Sequence, residues 1–210
     1  MLIPLTLGSY ATNCYILIDD ATGDALAVDC ALFTADWLRA LDKAGVKSLR
    51  YILLTHGHAD HICGVKALKD VCGGQICIHP EDADCLSDEE KSLNATMNFA
   101  AQGLCRADIL VEEGTRLPFG SGEITVMHTP GHTRGSVCYL YHDLMFSGDT
   151  LFYLSMGRTD LPGGSTKQLF ASLRRIGQMQ GEYSIFPGHD RPTSLSFEKQ
   201  YNRYLRAKQG

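Results

Sequence analysis

The sequence predicts an α/β protein in which two β-sheets are covered by helices on both outer faces. Short apolar segments rich in strand-forming residues alternate with segments of helical periodicity, and both halves of the chain place strands before helices. Four of the predicted strands end in a turn that carries histidine or aspartate. Because such turns recur at strand ends, we expect them to meet at one shared site.

Composition bounds the class of protein. The chain has 210 residues, a net charge of −5 and 44% hydrophobic residues, which predicts one globular domain over residues 1–210. The acidic balance argues against a nucleic-acid partner, and the lack of a long apolar run argues against a membrane partner. The segment Met1–Thr6 lacks the features of a signal peptide, so we expect a cytoplasmic protein. Nothing in the composition indicates an oligomeric state.

The eight cysteines show no spacing typical of a zinc finger or a redox motif. Several lie inside apolar runs, which predicts buried, reduced thiols rather than disulfides. Cys63 follows His61 by two residues, and we expect it either to line a cleft or to serve as a small packing residue.

The first half of the chain opens with a β-meander. Strands are predicted at 2–7, 13–19, 25–28, 50–54 and 75–78, and helices at 34–44 and 61–70. Thr34 is the predicted N-cap of the first helix, with Trp37, Leu38 and Leu41 in the core. Asp60 stands where the N-cap of the second helix is expected.

The secondary-structure pattern is less regular in the middle of the chain than in its first half. Residues 80–107 contain two acidic runs, 81–84 and 87–90, which we interpret as a solvated face, and Leu93–Phe99 is a candidate lid segment. Further strands are predicted at 109–111, 124–128, 137–141, 144–146 and 183–186, and helices at 166–177 and 196–207.

One short motif carries the strongest chemical signal. His56, His58, Asp60 and His61 directly follow the apolar run 51–54. Three imidazoles and a carboxylate within six residues are typical of a metal site.

Three later turns repeat this arrangement of a strand, a glycine and a ligand residue. They end in His132, Asp149 and His189. Glycine allows the backbone to turn sharply there and bring a ligand close to an ion. The remaining histidines, His79, His128 and His142, lack this setting and are predicted to be structural or on the surface.

These residues resemble the signature of the metallo-β-lactamase superfamily, and within it the short, single-domain glyoxalase II-like hydrolases. The opening Gly8–Tyr15 and the loop Gly157–Asp160 are also similar to that family. The resemblance implies an αβ/βα four-layer sandwich and two divalent metal ions. It implies seven ligands, in two groups of three with one bridging residue: His56, His58 and His132; Asp60, His61 and His189; and Asp149 between them.

The resemblance implies a hydrolase that uses a metal-bound hydroxide. Imidazole and carboxylate ligands suit zinc, iron or manganese, and of these we expect zinc. Asp60 would orient or deprotonate the attacking water. A thiolate leaves without a strong general acid, which favours thioesters such as S-lactoylglutathione, so that the small-molecule partner would be a glutathione conjugate. Arg158 would bind a substrate carboxylate or form a salt bridge to Asp160.

Other functions stay open at this point. An iron-dependent persulfide dioxygenase would use His56, His132 and Asp149 as a facial triad. A lactonase, a β-lactamase and a non-enzymatic metal-binding protein are further alternatives. Two departures from the family bear on the choice. Only about twenty residues follow His189, so the C-terminal glutathione-binding region of full-length glyoxalase II is not expected. Cys30 replaces a proline that many relatives carry after Asp29.

Overall fold

Two six-stranded sheets form the centre of the protein. The structure is a computed structural model and describes residues 1–206. The first sheet contains, in spatial order, β1 (Leu2–Leu7), β2 (Thr12–Ile18), β3 (Ala25–Val28), β4 (Tyr51–Leu53), β5 (Gln75–Ile78) and β6 (Ile109–Leu110). The remaining strands are β7 (Arg116–Phe119), β8 (Gly122–His128), β9 (Val137–Tyr141), β10 (Leu144–Gly148), β11 (Leu151–Phe152), β12 (Ser155–Met156), β13 (Ser184–Pro187) and β14 (Thr193–Ser194). The second sheet has the order β14-β13-β10-β9-β8-β7, and β11 and β12 form a separate hairpin.

The helices lie outside the sheets. They are α1 (Ala35–Lys43), α2 (Ala59–Ile62), α3 (Val65–Cys72), α4 (Asn94–Met97), α5 (Thr166–Gln178), α6 (Leu195–Tyr201) and α7 (Arg203–Arg206), with a 3₁₀ helix at Pro80–Leu86. Three apolar clusters fill the spaces between the layers. One lies between the first sheet and helices α1 and α3, one between the two sheets, and one between the second sheet and α5. This is the predicted four-layer αβ/βα sandwich, and the fold prediction is confirmed.

The predicted helix over 61–70 is wrong in detail, because the chain forms α2 and α3 with a break between them. Gly64 lies at the break, where an added Cβ would come within 2.5 Å of the backbone nitrogen of Phe33 and 2.7 Å of Cys30 Sγ. The N-cap of α2 is His58, without a side-chain cap bond, so Asp60 is not the N-cap. Asp60 instead lies in the first turn, where a carboxylate is favoured by the helix dipole.

Two other predictions need correction, and four strands, β7, β11, β12 and β14, were not predicted. Leu38 is 44% exposed, since the buried stripe of α1 runs through Trp37 and Leu41, four residues apart. The last predicted helix, 196–207, is divided at Asn202, and its final residue lies outside the described residues.

All eight cysteines are free thiols and six of them are buried, as predicted. Burial raises the pKa of the Cys63 thiol to about 11 and, together with Asp108, that of Cys77 to about 12. Within residues 1–206, the structure contains no helix with the length and apolar character needed to cross a membrane.

Candidate metal centre

The predicted ligands come together at one edge of the two sheets. Four strand ends supply them: β4 leads into the turn that carries His56 to His61, and β8, β10 and β13 lead to His132, Asp149 and His189. Strands β10 and β13 are parallel, and β8 has the same direction because β9 is antiparallel to both of its neighbours. The carboxyl ends of all three strands therefore meet at this edge of the second sheet.

Three overlapping groups of side chains have the geometry of metal ligands, and one of them, His56, His61 and Asp149, shares one histidine with each of the other two. One ligand atom from each of His56, His58 and His132 lies within 4.8 Å of the others, and the same holds for Asp60, His61 and His189. These two groups coincide with the ligand sets that the resemblance implies, and their occupation by ions stays a prediction.

Asp149 lies between the two groups. Its Oδ1 is 3.4 Å from His61 Nε2, and its Oδ2 is 3.5 Å from His132 Nε2 and 3.6 Å from His189 Nε2. The backbone of Gly188 passes so close that an added Cβ would lie 2.3 Å from Asp149 Oδ1. Only glycine fits here, which accounts for the glycine that precedes His189.

Four of the five histidines are anchored through Nδ1. His61 Nδ1 donates to Asp29 Oδ2 at 2.8 Å, and His132 Nδ1 donates to the carbonyl oxygen of Arg158 at 2.8 Å. His189 Nδ1 donates to the Tyr10 carbonyl oxygen at 3.2 Å. The fourth bond joins His56 Nδ1 to Thr55 Oγ1 at 3.1 Å, and that hydroxyl itself donates to Asp29. A proton on each Nδ1 leaves the Nε2 lone pair free, which is how proteins prepare histidine for a metal.

His58 has the opposite orientation. Its Nδ1, rather than its Nε2, faces the group and lies 2.9 Å from His132 Nε2. Both atoms are the type that donates a lone pair to a metal ion, so the pair is suited to a shared cation.

Comparison with known proteins identifies this fold. A family model described as "Metallo-beta-lactamase superfamily" matches residues 7–189. The chain belongs to this superfamily. The family resemblance predicted from the His-x-His-x-Asp-His motif is thereby confirmed.

Several relatives cover nearly the whole chain. Hydroxyacylglutathione hydrolase GloC of Haemophilus influenzae is 29% identical over 218 residues, which cover 99% of this chain and 98% of GloC. Among solved structures, the BLEG-1 B3 metallo-beta-lactamase has a TM-score of 0.90 at 31% identity, covering 99% of this chain and 100% of that one. TTHA1623 in a di-iron-bound form has a TM-score of 0.84 at 34% identity, and the match covers 97% of this chain and 100% of that one. ETHE1 from Myxococcus xanthus has a TM-score of 0.82 at 29% identity, and the match covers 99% of this chain and 86% of that one.

The electrostatics of the site favour a cation. Burial lowers the pKa of His58 to about 3, with a contribution from His132, and lowers that of His56 well below its usual value. Burial also acts to lower the pKa of His61, but Asp60, Asp149 and Asp29 outweigh it and raise the pKa to about 10. The carboxylates therefore stabilise positive charge at the centre of the superfamily site.

The side chains present fit a metal ion. His56 Nε2 and Asp149 Oδ1 are buried and have no hydrogen-bond partner among the described residues. Leaving such atoms unpaired costs about 1–3 kcal/mol each unless another partner satisfies them. Both are ligand atoms directed into the two groups, so divalent ions would satisfy them. The mixture of imidazole and carboxylate suits zinc, iron or manganese alike.

Asp29 supports the centre and was not predicted as a site residue. It is 1% exposed, adopts a positive φ of 55°, and accepts hydrogen bonds from Thr55 N at 2.9 Å, Thr55 Oγ1 and His61 Nδ1. A carboxylate directly after strand 25–28 was the signal available in the sequence, since the predicted ligands also follow strands.

Asp82 is a second support, and for this one residue of the acidic runs the prediction of a solvated face is wrong, whereas Glu81 and Asp84 are exposed. Asp82 is 4% exposed. It accepts hydrogen bonds from Gly57 N at 3.0 Å, Gly135 N at 2.9 Å and Thr133 Oγ1 at 2.6 Å. One carboxylate thus joins the turn of the His56–His61 motif to the turn after His132. Nothing in the sequence distinguishes it from the exposed acids beside it.

Cys30 is the residue for which the sequence resemblance predicts a proline in many relatives. Its backbone N–H donates to the His61 carbonyl oxygen at 2.8 Å, and its own carbonyl oxygen accepts from Gly64 N at 2.9 Å. Proline has no N–H to donate, so this chain has a backbone bond to a ligand segment that a proline would remove.

The centre lies at the base of a cleft of about 360 Å³. Arg158 lines this cleft and also forms two 2.7 Å hydrogen bonds to Asp160. Its binding of a substrate carboxylate stays a prediction. Met97, in the candidate lid segment, lines the cleft as well.

The histidines and the cysteine that were not predicted to be ligands have structural roles outside the cleft. Cys63 is buried and lines a small separate cavity beside Asn94 rather than the cleft. His79 caps the 3₁₀ helix and stacks on His128 with ring centroids 4.1 Å apart. His142 adopts a positive φ of 52° in the β9–β10 turn.

Proposed function

We propose that this protein hydrolyses thioesters at a two-metal centre, with S-lactoylglutathione as a representative substrate. Membership of the superfamily and the histidine–aspartate groups support a metal-dependent hydrolase. The observation that carries the proposal is the anchoring of four histidines through Nδ1, which prepares their Nε2 atoms for ions. Similarity to GloC over nearly the whole chain supports a hydroxyacylglutathione-type substrate. Free cysteines support a cytoplasmic location.

In this proposal, the predicted ligands are divided between two metal ions. His56, His58 and His132 would hold one ion, Asp60, His61 and His189 the other, and Asp149 both. Bound ions would supply a water of lowered pKa and polarise the substrate carbonyl. Zinc is the favoured metal, and iron and manganese suit the same ligands.

Asp60 is the candidate catalytic carboxylate. It lines the cleft and lies 3.3 Å from His189 Nε2. Burial acts to raise its pKa, but His61 and His189 outweigh burial and hold the pKa well below the usual value. Asp60 is therefore ionised at neutral pH, and it would orient the attacking water and accept its proton. A thiolate leaving group, with a thiol pKa near about 8.5, departs without a general acid.

The test is Asp60→Ala assayed with S-lactoylglutathione. We expect kcat to fall by about 10²–10⁴-fold, the range for loss of a general base, while the circular dichroism spectrum stays that of the wild type. Asp20→Ala, which removes an exposed carboxylate paired with the N-terminus, is the matched control. Unchanged turnover in Asp60→Ala would contradict the assigned role.

Two other activities have specific support. The di-iron form of TTHA1623 and the likeness to ETHE1 favour testing an iron-dependent persulfide dioxygenase, for which His56, His132 and Asp149 would hold the iron. Oxygen uptake on glutathione persulfide separates it from hydrolysis. The likeness to BLEG-1 favours testing β-lactams, and turnover of a ring substrate such as a lactam or lactone would reveal that activity.

A further inference from the structure

The walls of the cleft are largely apolar. Besides the predicted ligands, seven side chains line it, and four of them are hydrophobic: Met97, Phe152, Met156 and Leu161. We call these four residues the apolar wall. All are half-buried, so they are neither core residues nor freely solvated. A volume of about 360 Å³ is at the small end of the range for ligand pockets.

The hairpin β11–β12, which supplies two members of the apolar wall, is fixed by a buried carboxylate. Glu198 is 0% exposed. It accepts hydrogen bonds from Leu154 N at 3.0 and 3.2 Å, Thr193 Oγ1 at 2.7 Å and Asn202 Nδ2 at 2.8 Å. Asn202 Nδ2 also donates to the Ser155 carbonyl oxygen at 3.0 Å. The turn between Phe152 and Met156 is thereby held by α6, and a preformed surface loses little entropy when a ligand binds.

Charge recognition in the cleft is weak by contrast. Apart from the predicted ligands, Arg158 is the charged side chain among the described residues that line it. Asp160 already neutralises Arg158 through two hydrogen bonds. The glutathione portion of a thioester carries two carboxylates and an ammonium group, so it finds at most one compensated cation here. Beyond the metal centre, most of the contact that the cleft walls offer to a substrate is therefore apolar.

We propose that the preferred substrates are thioesters with an apolar acyl chain, which lies against the apolar wall and selects substrates by its length. This inference rests on the proposed thioesterase function. One fully buried methylene is worth about 0.8 kcal/mol, a factor of about four. Because the cleft is open on one side, we expect about two- to fourfold in kcat/KM for each methylene.

The kinetic test compares S-acetyl-, S-butyryl- and S-hexanoylglutathione with S-lactoylglutathione. From acetyl to hexanoyl, four methylenes should raise kcat/KM by at least about tenfold. In the double variant Met97→Gln/Met156→Gln the increase should shrink to about threefold or less, because a polar wall gains little from apolar contact. Leu154→Gln is the matched control: Leu154 lies in the same hairpin and is 39% exposed, and it should keep the wild-type series.

A binding test needs neither turnover nor a variant. The affinity of the wild-type protein for S-methyl-, S-butyl- and S-hexylglutathione, measured by calorimetry, should rise with alkyl length. If no thioester is hydrolysed, the proposed function fails, and the thioether series alone decides whether the wall selects apolar chains. Hydrolysis without a length preference, or thioether affinities independent of length, would overturn the inference and leave the proposed function standing.

Discussion

The base of the cleft and its apolar wall are built in different ways. At the base, six of the seven predicted ligands are buried, and four of the five histidines have an Nδ1 partner outside the ligand set. The apolar wall consists of half-buried side chains on elements of two to four residues, or on loops. The predicted ligands at the base are therefore mostly held by buried contacts, whereas the wall depends on the few hydrogen bonds of Glu198 and Asn202 that hold its hairpin. We propose that the base carries the chemistry and that the wall sets specificity.

Asp29→Ala tests the base most severely. The change leaves Thr55 N–H and His61 Nδ1–H without their acceptor, so His61 loses its orientation. We expect metal affinity to fall by about 10–100-fold, the usual effect of removing an outer-shell carboxylate. Metal retained per chain after dialysis against a graded chelator measures this.

Asp20→Ala serves as control, since its carboxylate is exposed, and it should retain metal like the wild type. Equal retention by Asp29→Ala and the wild type would show that the ligands do not depend on this support.

Asp82→Ala and Asp84→Ala form a matched pair within one 3₁₀ helix. Removing Asp82 leaves the buried Gly57 and Gly135 N–H groups unpaired, each costing about 1–3 kcal/mol. Asp84 makes an ion pair with Lys91 that is exposed to solvent, and such pairs add little to stability. We expect the free energy of unfolding in urea to fall by about 2–5 kcal/mol for Asp82→Ala and to change little for Asp84→Ala. Equal effects would contradict the role of Asp82 in joining the two turns.

The same contrast explains what the sequence could predict. The predicted ligands at the base could be selected from the sequence because metal chemistry restricts residue type and because each of them follows a strand, and the structure brings them together. Asp29 could have been found by the same strand-end rule. Asp82 and Glu198 could not, since a buried carboxylate and a solvated one look alike until the chain brings distant donors to one of them. Leu38 was misplaced because a helix of nine residues leaves the edge of its apolar stripe undefined by periodicity alone.

The apolar wall was beyond prediction for a related reason. Its residues come from α4, the β11–β12 hairpin and the following loop, which have too few residues for a periodic pattern. Their convergence depends on tertiary contacts such as those of Glu198, which no local sequence rule describes.

Glu198→Gln tests the wall, because Glu198 holds the hairpin that carries two of its residues. An amide keeps the size of the side chain but has one acceptor oxygen. In the wild type, the donors from Leu154, Thr193 and Asn202 share the two oxygens of the carboxylate. We expect the hairpin to loosen and KM for S-hexanoylglutathione to rise about fivefold, equivalent to about 1 kcal/mol of ordering cost, with kcat little changed.

Glu182→Gln is the control for this change, because Glu182 is exposed and accepts from Ser196 N at the start of α6. A fall in kcat at constant KM in Glu198→Gln would place its effect at the base instead.

The reactivity of two thiols reports on the local opening of one segment and involves no change in activity or overall stability. Cys85 and Cys105 flank α4, and both are half-buried. Burial raises the pKa of Cys85 to about 12, with a contribution from Asp82, and that of Cys105 to about 11. Since the thiolate reacts, the rate of alkylation should climb about tenfold per pH unit from pH 7 to 10 without levelling. A rate that levels near pH 9, as for a free thiol, would show that this segment opens in solution.

The most direct test of the central claim combines metal analysis with anaerobic turnover. The purified wild-type protein is analysed for bound metal and then assayed for S-lactoylglutathione hydrolysis without oxygen. A two-metal thioesterase should hold two divalent ions per chain and hydrolyse the thioester at the same rate with or without oxygen. One iron per chain, oxygen uptake on glutathione persulfide and no thioester hydrolysis would contradict the account.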